Sequence, residues 1–158
     1  CSSDLSDKLV KVPGLAGQGK MGKSNGEADC IYLSDSETVI RKKVMRAVSD
    51  SGPTEMNQPK SESIQNLFDL MKVVSTADTL QHFDELYNKC EIRYGDFKKQ
   101  LAEDMVLATS DVRSRIEEIS KDDAYIAKVA KMGAEKASES ARKTLKEVRE
   151  IIGIKRFY

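Results

Sequence analysis

Lys20 and Lys23 stand three residues apart in the run Gly17-Gln18-Gly19-Lys20-Met21-Gly22-Lys23-Ser24. Two ammonium groups on one glycine-rich loop can turn toward a single polyanion. Lysine is a mobile point charge, suited to a phosphate group that moves during a reaction. The glycines let backbone N–H groups approach such a ligand closely, and Ser24 adds a hydroxyl donor. A solvated basic loop would use the same residues, and their types alone leave that reading open. The run is not taken as a Walker phosphate loop, on the ground of its glycine spacing before Lys23-Ser24.

The elements around the loop change character along the chain. Residues 1 to about 35 are irregular, with apolar stretches at Leu9, Val10 and Val12 and at Cys30-Ile31-Tyr32-Leu33, bounded by Pro13-Gly14 and Gly17, Gly19, Gly22 and Gly26. Short apolar runs between glycines read as buried strand ends or loops. From Asp35 the apolar period becomes helical. Ser34-Asp35-Ser36-Glu37 offers N-caps and a first-turn acid, and Val39, Ile40, Lys43, Val44 and Ala47 form a stripe with Arg41, Lys42 and Arg46 beside it. Residues 49–61 read as a polar linker. A helix is predicted over about 62–74 (Ile64, Leu67, Phe68, Leu70, Met71), and another starts at Thr79 (Leu80, Phe83, Leu86, Tyr87). A long helix after Gly95 carries Phe97, Leu101, Met105, Ala108, Val112, Ile116 and Ile119. A last one opens at Asp122-Asp123, carries Ile126, Val129, Leu145 and Val148 with alanines at 130, 134, 137 and 141, and stops at Gly153. The last hundred residues are therefore expected to form an α-helical bundle, with the alanine row inside it.

Composition narrows the function classes. The 158 residues carry 26 Lys+Arg against 26 Asp+Glu, which excludes a polybasic nucleic-acid coat but not a local basic patch. No apolar run approaches the roughly 18 residues that a membrane helix needs. The three cysteines, Cys1, Cys30 and Cys90, are odd in number and far apart, matching neither a disulfide framework nor a zinc site; a reducing cytoplasm is the expected compartment. Cys1-Ser2-Ser3-Asp4 also fits the mature start of a bacterial lipoprotein, so a helical interaction module anchored at Cys1 stands as an alternative. The cluster Arg41-Lys42-Lys43…Arg46 and the tail pair Lys155-Arg156 could meet a nucleic-acid phosphate, though solvated charges on a helix face are the favoured reading of the cluster. Asp122-Asp123 reads as a helix start rather than a metal site. Tyr32, Tyr87, Tyr94 and Phe97 read as core or interface, and His82 as a surface or packing residue.

Lys20-Met21-Gly22-Lys23-Ser24 resembles the Lys-Met-Ser-Lys-Ser signature of class I aminoacyl-tRNA synthetases, with Gly22 in the third place. A K-M-x-K-S string arises by chance in about one chain in a thousand of this length. Val12-Pro13-Gly14-Leu15 with Gly17-Gln18-Gly19, then Leu33-Ser34-Asp35-Ser36, Ile40-Arg41-Lys42-Lys43 and Ala47-Val48-Ser49-Asp50-Ser51 are similar to the tryptophanyl branch. So are Gly133-Ala134-Glu135-Lys136-Ala137 and Thr144-Leu145-Lys146 near the end. The tyrosyl branch, which shares the signature loop, is the related alternative, and the terminal segment speaks against it.

The resemblance implies a fold and a set of roles. The chain would be mainly α: residues 1–50 close a Rossmann-type α/β catalytic domain and residues 51–158 form the helical anticodon-side bundle. The parent enzyme would activate tryptophan with ATP, release pyrophosphate and esterify the amino acid to its tRNA. Lys20 and Lys23 would be catalytic, stabilising the leaving pyrophosphate. Val12, Lys20, Met21, Gly22, Lys23 and Ser24 would bind ATP, with Mg2+ expected beside it, no protein metal site and no tightly bound cofactor. Gly22 removes a hydroxyl and loosens the loop. The family's other signature, a His-rich turn, is not in this sequence, whose only histidine is His82. The expectation is thus a bacterial-type enzyme without the N-terminal half of its catalytic domain, inactive by itself. The parent is expected to be a cytoplasmic homodimer with no membrane partner.

Overall fold

The structure, a computed structural model, describes residues 12–17 and 19–153. Leu9, Val10, Cys1 and Lys155-Arg156 lie outside the described residues. Among those described, the chain is mainly α, with five helices: α1 Glu37–Met45, α2 Glu62–Val74, α3 Ala77–Asn88, α4 Tyr94–Ile119 and α5 Asp123–Ile152. A single 3-10 turn, Lys23–Asn25, precedes them. No helix among the described residues is long and apolar enough to cross a membrane. The chain divides into two compact units, Cys1–Arg113 and Ser114–Tyr158.

In the first unit the helix starts follow capping chemistry. The Ser36 hydroxyl accepts the Val39 N–H at 3.4 Å, with Glu37 in the first turn of α1, whose buried face is Ile40 and Val44. Helix α2 buries the predicted stripe of Ile64, Leu67, Phe68, Leu70 and Met71. Helix α3 starts at Ala77 rather than Thr79, because Thr76 is the cap and its hydroxyl accepts the Thr79 N–H at 3.3 Å. Helix α4 takes Gly95 into its first turn instead of starting after it.

An aromatic cluster holds these helices together. Phe97, fully buried, stacks on Phe68 with ring centres 4.8 Å apart and meets Phe83 edge-on at 5.2 Å; Phe68 meets Tyr87 at 6.0 Å. Pairs in this geometry add about 0.5–1.5 kcal/mol each beyond the area they bury. The glycine-rich segment joins the same core through Leu15, only 2% exposed. The Val48 N–H donates to the Leu15 carbonyl at 3.1 Å, so the loop base is tied to the end of α1.

The linker after α1 is pinned at two points. Lys98, buried on α4, donates to the Ala47 carbonyl at 2.7 Å and the Ser49 hydroxyl at 2.9 Å, and burial pulls its pKa down. Asp50 accepts from the Tyr94 hydroxyl at 2.7 Å, the Gly52 N–H at 2.9 Å and the Ser61 hydroxyl. Burial opposes the Asp50 charge, but these donors outweigh it and hold the carboxyl below its ordinary pKa.

The buried row of α4 corrects one sequence reading. The long helix buries Phe97, Leu101 and Met105 as expected, then continues through Thr109 and Arg113, while Ala108 and Val112 face out. Steps of four keep the buried row on one ridge, and the polar members are satisfied. Thr109 donates to the Met105 carbonyl at 2.8 Å, and Arg113 donates to the Thr109 hydroxyl at 3.0 Å and the Val106 carbonyl at 3.4 Å. The apolar stretch from Cys30 to Leu33 is loop, one of the two forms its pattern allows; the one isolated backbone bridge among the described residues joins Pro13 and Lys20.

The second unit contains α5, capped as the sequence anticipates. The Asp122 carboxylate accepts the Tyr125 N–H at 2.8 Å, and Gly153 closes the helix at φ 73°, a left-handed conformation that suits glycine. The expected core packing of its stripe and alanine row is not seen, since no described residue of α5 is buried. Ile126, Val129, Leu145 and Val148 stay between 43% and 49% exposed. Amphipathic periodicity specifies which face can be buried, not what covers it.

Candidate functional site

The loop that carries Lys20 and Lys23 is built from backbone pairing and one buried carboxylate. The Met21 N–H donates to the Val12 carbonyl at 2.9 Å and the Gly14 N–H to the Gly19 carbonyl at 3.4 Å, so residues 12–14 and 19–21 run side by side. The chain then makes the 3-10 turn, in which the Asn25 N–H donates to the Gly22 carbonyl at 3.2 Å and the Gly26 N–H to the Lys23 carbonyl at 3.3 Å. It returns through Asp29, whose carbonyl accepts the Leu15 N–H at 3.2 Å.

Asp29 is 2% exposed, and its carboxylate accepts from the Ala16 N–H at 2.7 Å and from the Asn25 amide at 3.1 Å. The same Asn25 nitrogen donates to the Lys20 carbonyl at 3.1 Å. Gly14 lies against this carboxylate so closely that a Cβ there would sit 2.3 Å from one of its oxygens. Gly17 has φ +85°, and a Cβ on it would come 3.0 Å from Ser63, so glycine is required there by both conformation and space. Sequence reading passed over Asn25 and Asp29. The available signal was an acid placed between Ala28 and the apolar Cys30-Ile31, where a solvated role is hard to sustain.

The structure brings all six proposed nucleotide residues together. Val12 pairs with Met21, and Lys20, Lys23 and Ser24 are exposed at the edge of the loop. Among the described residues neither lysine takes part in an ion pair. The Lys23 ammonium lies 5.8 Å from the centre of the Tyr32 ring. Backbone N–H groups of Gly22, Lys23 and Ser24 donate to no backbone acceptor among the described residues. The Met21 side chain turns inward, its sulfur 3.5 Å from the Ile31 N–H, and its own N–H is held by Val12, which leaves its carbonyl as the uncommitted backbone group among the described residues. Gly17, Gly22, Lys23 and Ser24 do fall at the G-x-x-x-x-G-K-[ST] spacing, so spacing could not set the Walker reading aside. The fold does, because a Walker loop opens a long helix and here one short turn follows.

Two of the four residues of the neighbouring basic cluster, Arg41 and Lys43, are committed to the fold. Lys43 donates to the Asp35 carboxylate at 2.7 Å and the Cys30 carbonyl at 2.9 Å, its ammonium 4.7 Å from the Tyr32 ring centre. Arg41 makes two contacts with Glu103 at 2.8 and 2.9 Å and one with Glu37 at 3.0 Å, and the hydrogen bond from Arg41 lowers the Glu103 pKa. Lys42 and Arg46 are exposed and in no ion pair among the described residues. His82 is exposed on α3, 5.3 Å from the Phe83 ring centre. No three His, Cys, Asp or Glu side chains converge among the described residues.

Two exposed lysines, in no ion pair among the described residues, thus sit on a glycine-bounded loop fixed to the helical core of the first unit of a mainly α chain. The family model described as "tRNA synthetases class I (W and Y)" matches residues 7–109, and the chain belongs to that family. It is 54% identical over 146 residues to a tryptophan–tRNA ligase of Porphyromonas gingivalis, covering 92% of this chain and 44% of that one. It is 34% identical over 150 residues to the Clostridium longisporum tryptophan–tRNA ligase, covering 94% of this chain and 43% of the relative. A solved tryptophanyl-tRNA synthetase from Campylobacter jejuni, complexed with ADP and tryptophan, superposes with a TM-score of 0.72 at 26% identity, over 94% of this chain and 45% of that chain. The chain thus spans less than half the length of these relatives.

Proposed function

We propose that this chain is part of an enzyme that activates tryptophan with ATP, forming tryptophanyl-adenylate and pyrophosphate, and then transfers the amino acid to its tRNA. Lys20 and Lys23 hold the triphosphate and stabilise the charge that grows on the departing pyrophosphate. The backbones of Val12, Met21 and Gly22, and Ser24 through its hydroxyl, line the nucleotide. Residues 1–50 close the nucleotide-binding fold and residues 51–158 form the helical anticodon-side domain. ATP enters as a substrate, and an Mg2+ bound with it would supply charge neutralisation on the phosphates. The complete enzyme is a cytoplasmic homodimer, and the 158 residues alone do not catalyse the reaction.

The observation that carries this reading is the pair of exposed lysines free of ion pairs among the described residues, inside the segment matched by the family model. A contact contributes to rate only where it is stronger in the transition state than in bound ATP. Losing one such contact costs on the order of 2–4 kcal/mol, or roughly 30- to 1,000-fold in rate. In the full-length gene product, Lys23→Ala should slow tryptophan-dependent ATP–pyrophosphate exchange at least about tenfold, while tryptophan affinity stays near normal. Exposed Lys42, changed to alanine, is the control. Equal small effects of both substitutions would reduce the loop to a basic surface feature.

A further inference from the structure

The Asp29 carboxylate is almost wholly enclosed, and in place of a cation it takes a backbone N–H from Ala16 and the side-chain amide of Asn25. A buried carboxylate is expensive unless its hydrogen bonds are made, and here they run to both arms of the lysine loop. One oxygen holds residue 16, before the loop, at 2.7 Å. The other holds Asn25, beyond it, at 3.1 Å, and that amide nitrogen reaches back 3.1 Å to the Lys20 carbonyl. Gly14 leaves the space this carboxylate fills, since any Cβ there would overlap it. The backbone of Lys20 is thereby tied, through one amide, to a group anchored under the loop. Lys20 itself has flexible side-chain torsions, so its reach is set by where this backbone is held.

We infer that Asp29 and Asn25 are positioning residues for the reaction, acting through Lys20: they fix the loop backbone so that the Lys20 ammonium meets the leaving pyrophosphate. This rests on the proposed phosphate role of Lys20. Neither residue touches the nucleotide. Their effect is on placement, and placement errors near 1 Å can cost up to about a hundredfold in rate.

The test is a double-mutant cycle in the full-length gene product, reading kcat and KM for ATP in tryptophan-dependent exchange. Asn25 is exposed at the loop edge, so Asn25→Ala should fold normally; Asp29→Ala would strand the Ala16 N–H and is left aside in favour of Asp29→Asn. Asn25→Ala should lower kcat by about five- to twentyfold, with KM for ATP changed less than about threefold. Asp29→Asn keeps an acceptor for Ala16 but turns an NH2 toward the Asn25 amide nitrogen, so it breaks the same tie and should slow exchange at least as much as Asn25→Ala. Lys20→Ala/Asn25→Ala should be no slower than Lys20→Ala, because Asn25 acts only through that lysine. If Lys20→Ala slows exchange but Asn25→Ala does not, or if the two losses multiply, the positioning role is wrong and the phosphate role stands. If Lys20→Ala itself leaves exchange unchanged, the phosphate role fails and the positioning role falls with it.

Discussion

Replacing Gly14 by alanine would put a Cβ 2.3 Å from one Asp29 carboxylate oxygen and 2.5 Å from the other, where ordinary contact begins at 3.4 Å. The carboxylate would have to retreat by roughly 1 Å, a shift its close surroundings resist. Retreat breaks or weakens the 2.7 Å bond from the Ala16 N–H, a charge-assisted contact worth about 1.5–3 kcal/mol, and the 3.1 Å bond from Asn25, worth about 0.5–1.5 kcal/mol. Gly14→Ala should therefore cost on the order of 2–4 kcal/mol. Gly19 supplies the comparison: it sits at φ +70° in open space, so Gly19→Ala meets only the left-handed backbone penalty, about 1–2 kcal/mol. Urea unfolding can be followed by tyrosine fluorescence, since the chain has no tryptophan, and Tyr87 and Tyr94 report on the first unit. The Gly14 variant should show a midpoint lower by about 1–2 M at unchanged slope, and the Gly19 variant a smaller drop. Equal midpoints for the two variants would refute the claim that Asp29 is wedged beneath the loop.

Two further outcomes follow from the ion contacts. Lys43→Ala should lower stability by about 1–2 kcal/mol, because it removes the contacts to Asp35 and Cys30 from a side chain only 13% exposed, whereas Lys42→Ala should change it by less than about 0.5 kcal/mol in the same denaturation assay. Asp50 has a folded pKa below its unfolded value, so its contribution is present above the ordinary carboxylate range and is lost as pH falls through the depressed value. The stability gap between wild type and Asp50→Asn should be widest at neutral pH and shrink below about pH 4; a gap independent of pH would contradict the hub role of this carboxylate.

The helices were legible because burial repeats at a helical period and because Ser36 and Asp122 announce their own caps. Thr76 was equally available as a cap, but the first apolar residue, Leu80, drew the boundary inward. Lys20 and Lys23 could be singled out by type and spacing, which a phosphate-binding loop and a solvated basic loop share. Asp29 could not, since its partners lie thirteen residues upstream and four upstream, and no spacing rule marks a carboxylate that turns inward to meet a backbone N–H. Charge on a helix face looks alike whether solvated or paired, which is why Arg41 and Lys43 read as free when they bind Glu103 and Asp35. On α4 the buried row passes through Thr109 and Arg113 rather than the more apolar Ala108 and Val112, because their polar groups find partners within the helix.

The most direct test of the tryptophan-activating reading is amino-acid-dependent ATP–pyrophosphate exchange by the full-length gene product, run in parallel with tryptophan and with tyrosine. Exchange driven by tryptophan, at least about a hundredfold faster than with tyrosine and sharply reduced by Lys20→Ala or Lys23→Ala, is the predicted result. Exchange driven by tyrosine instead, or tryptophan-dependent exchange that survives loss of both lysines, would contradict it.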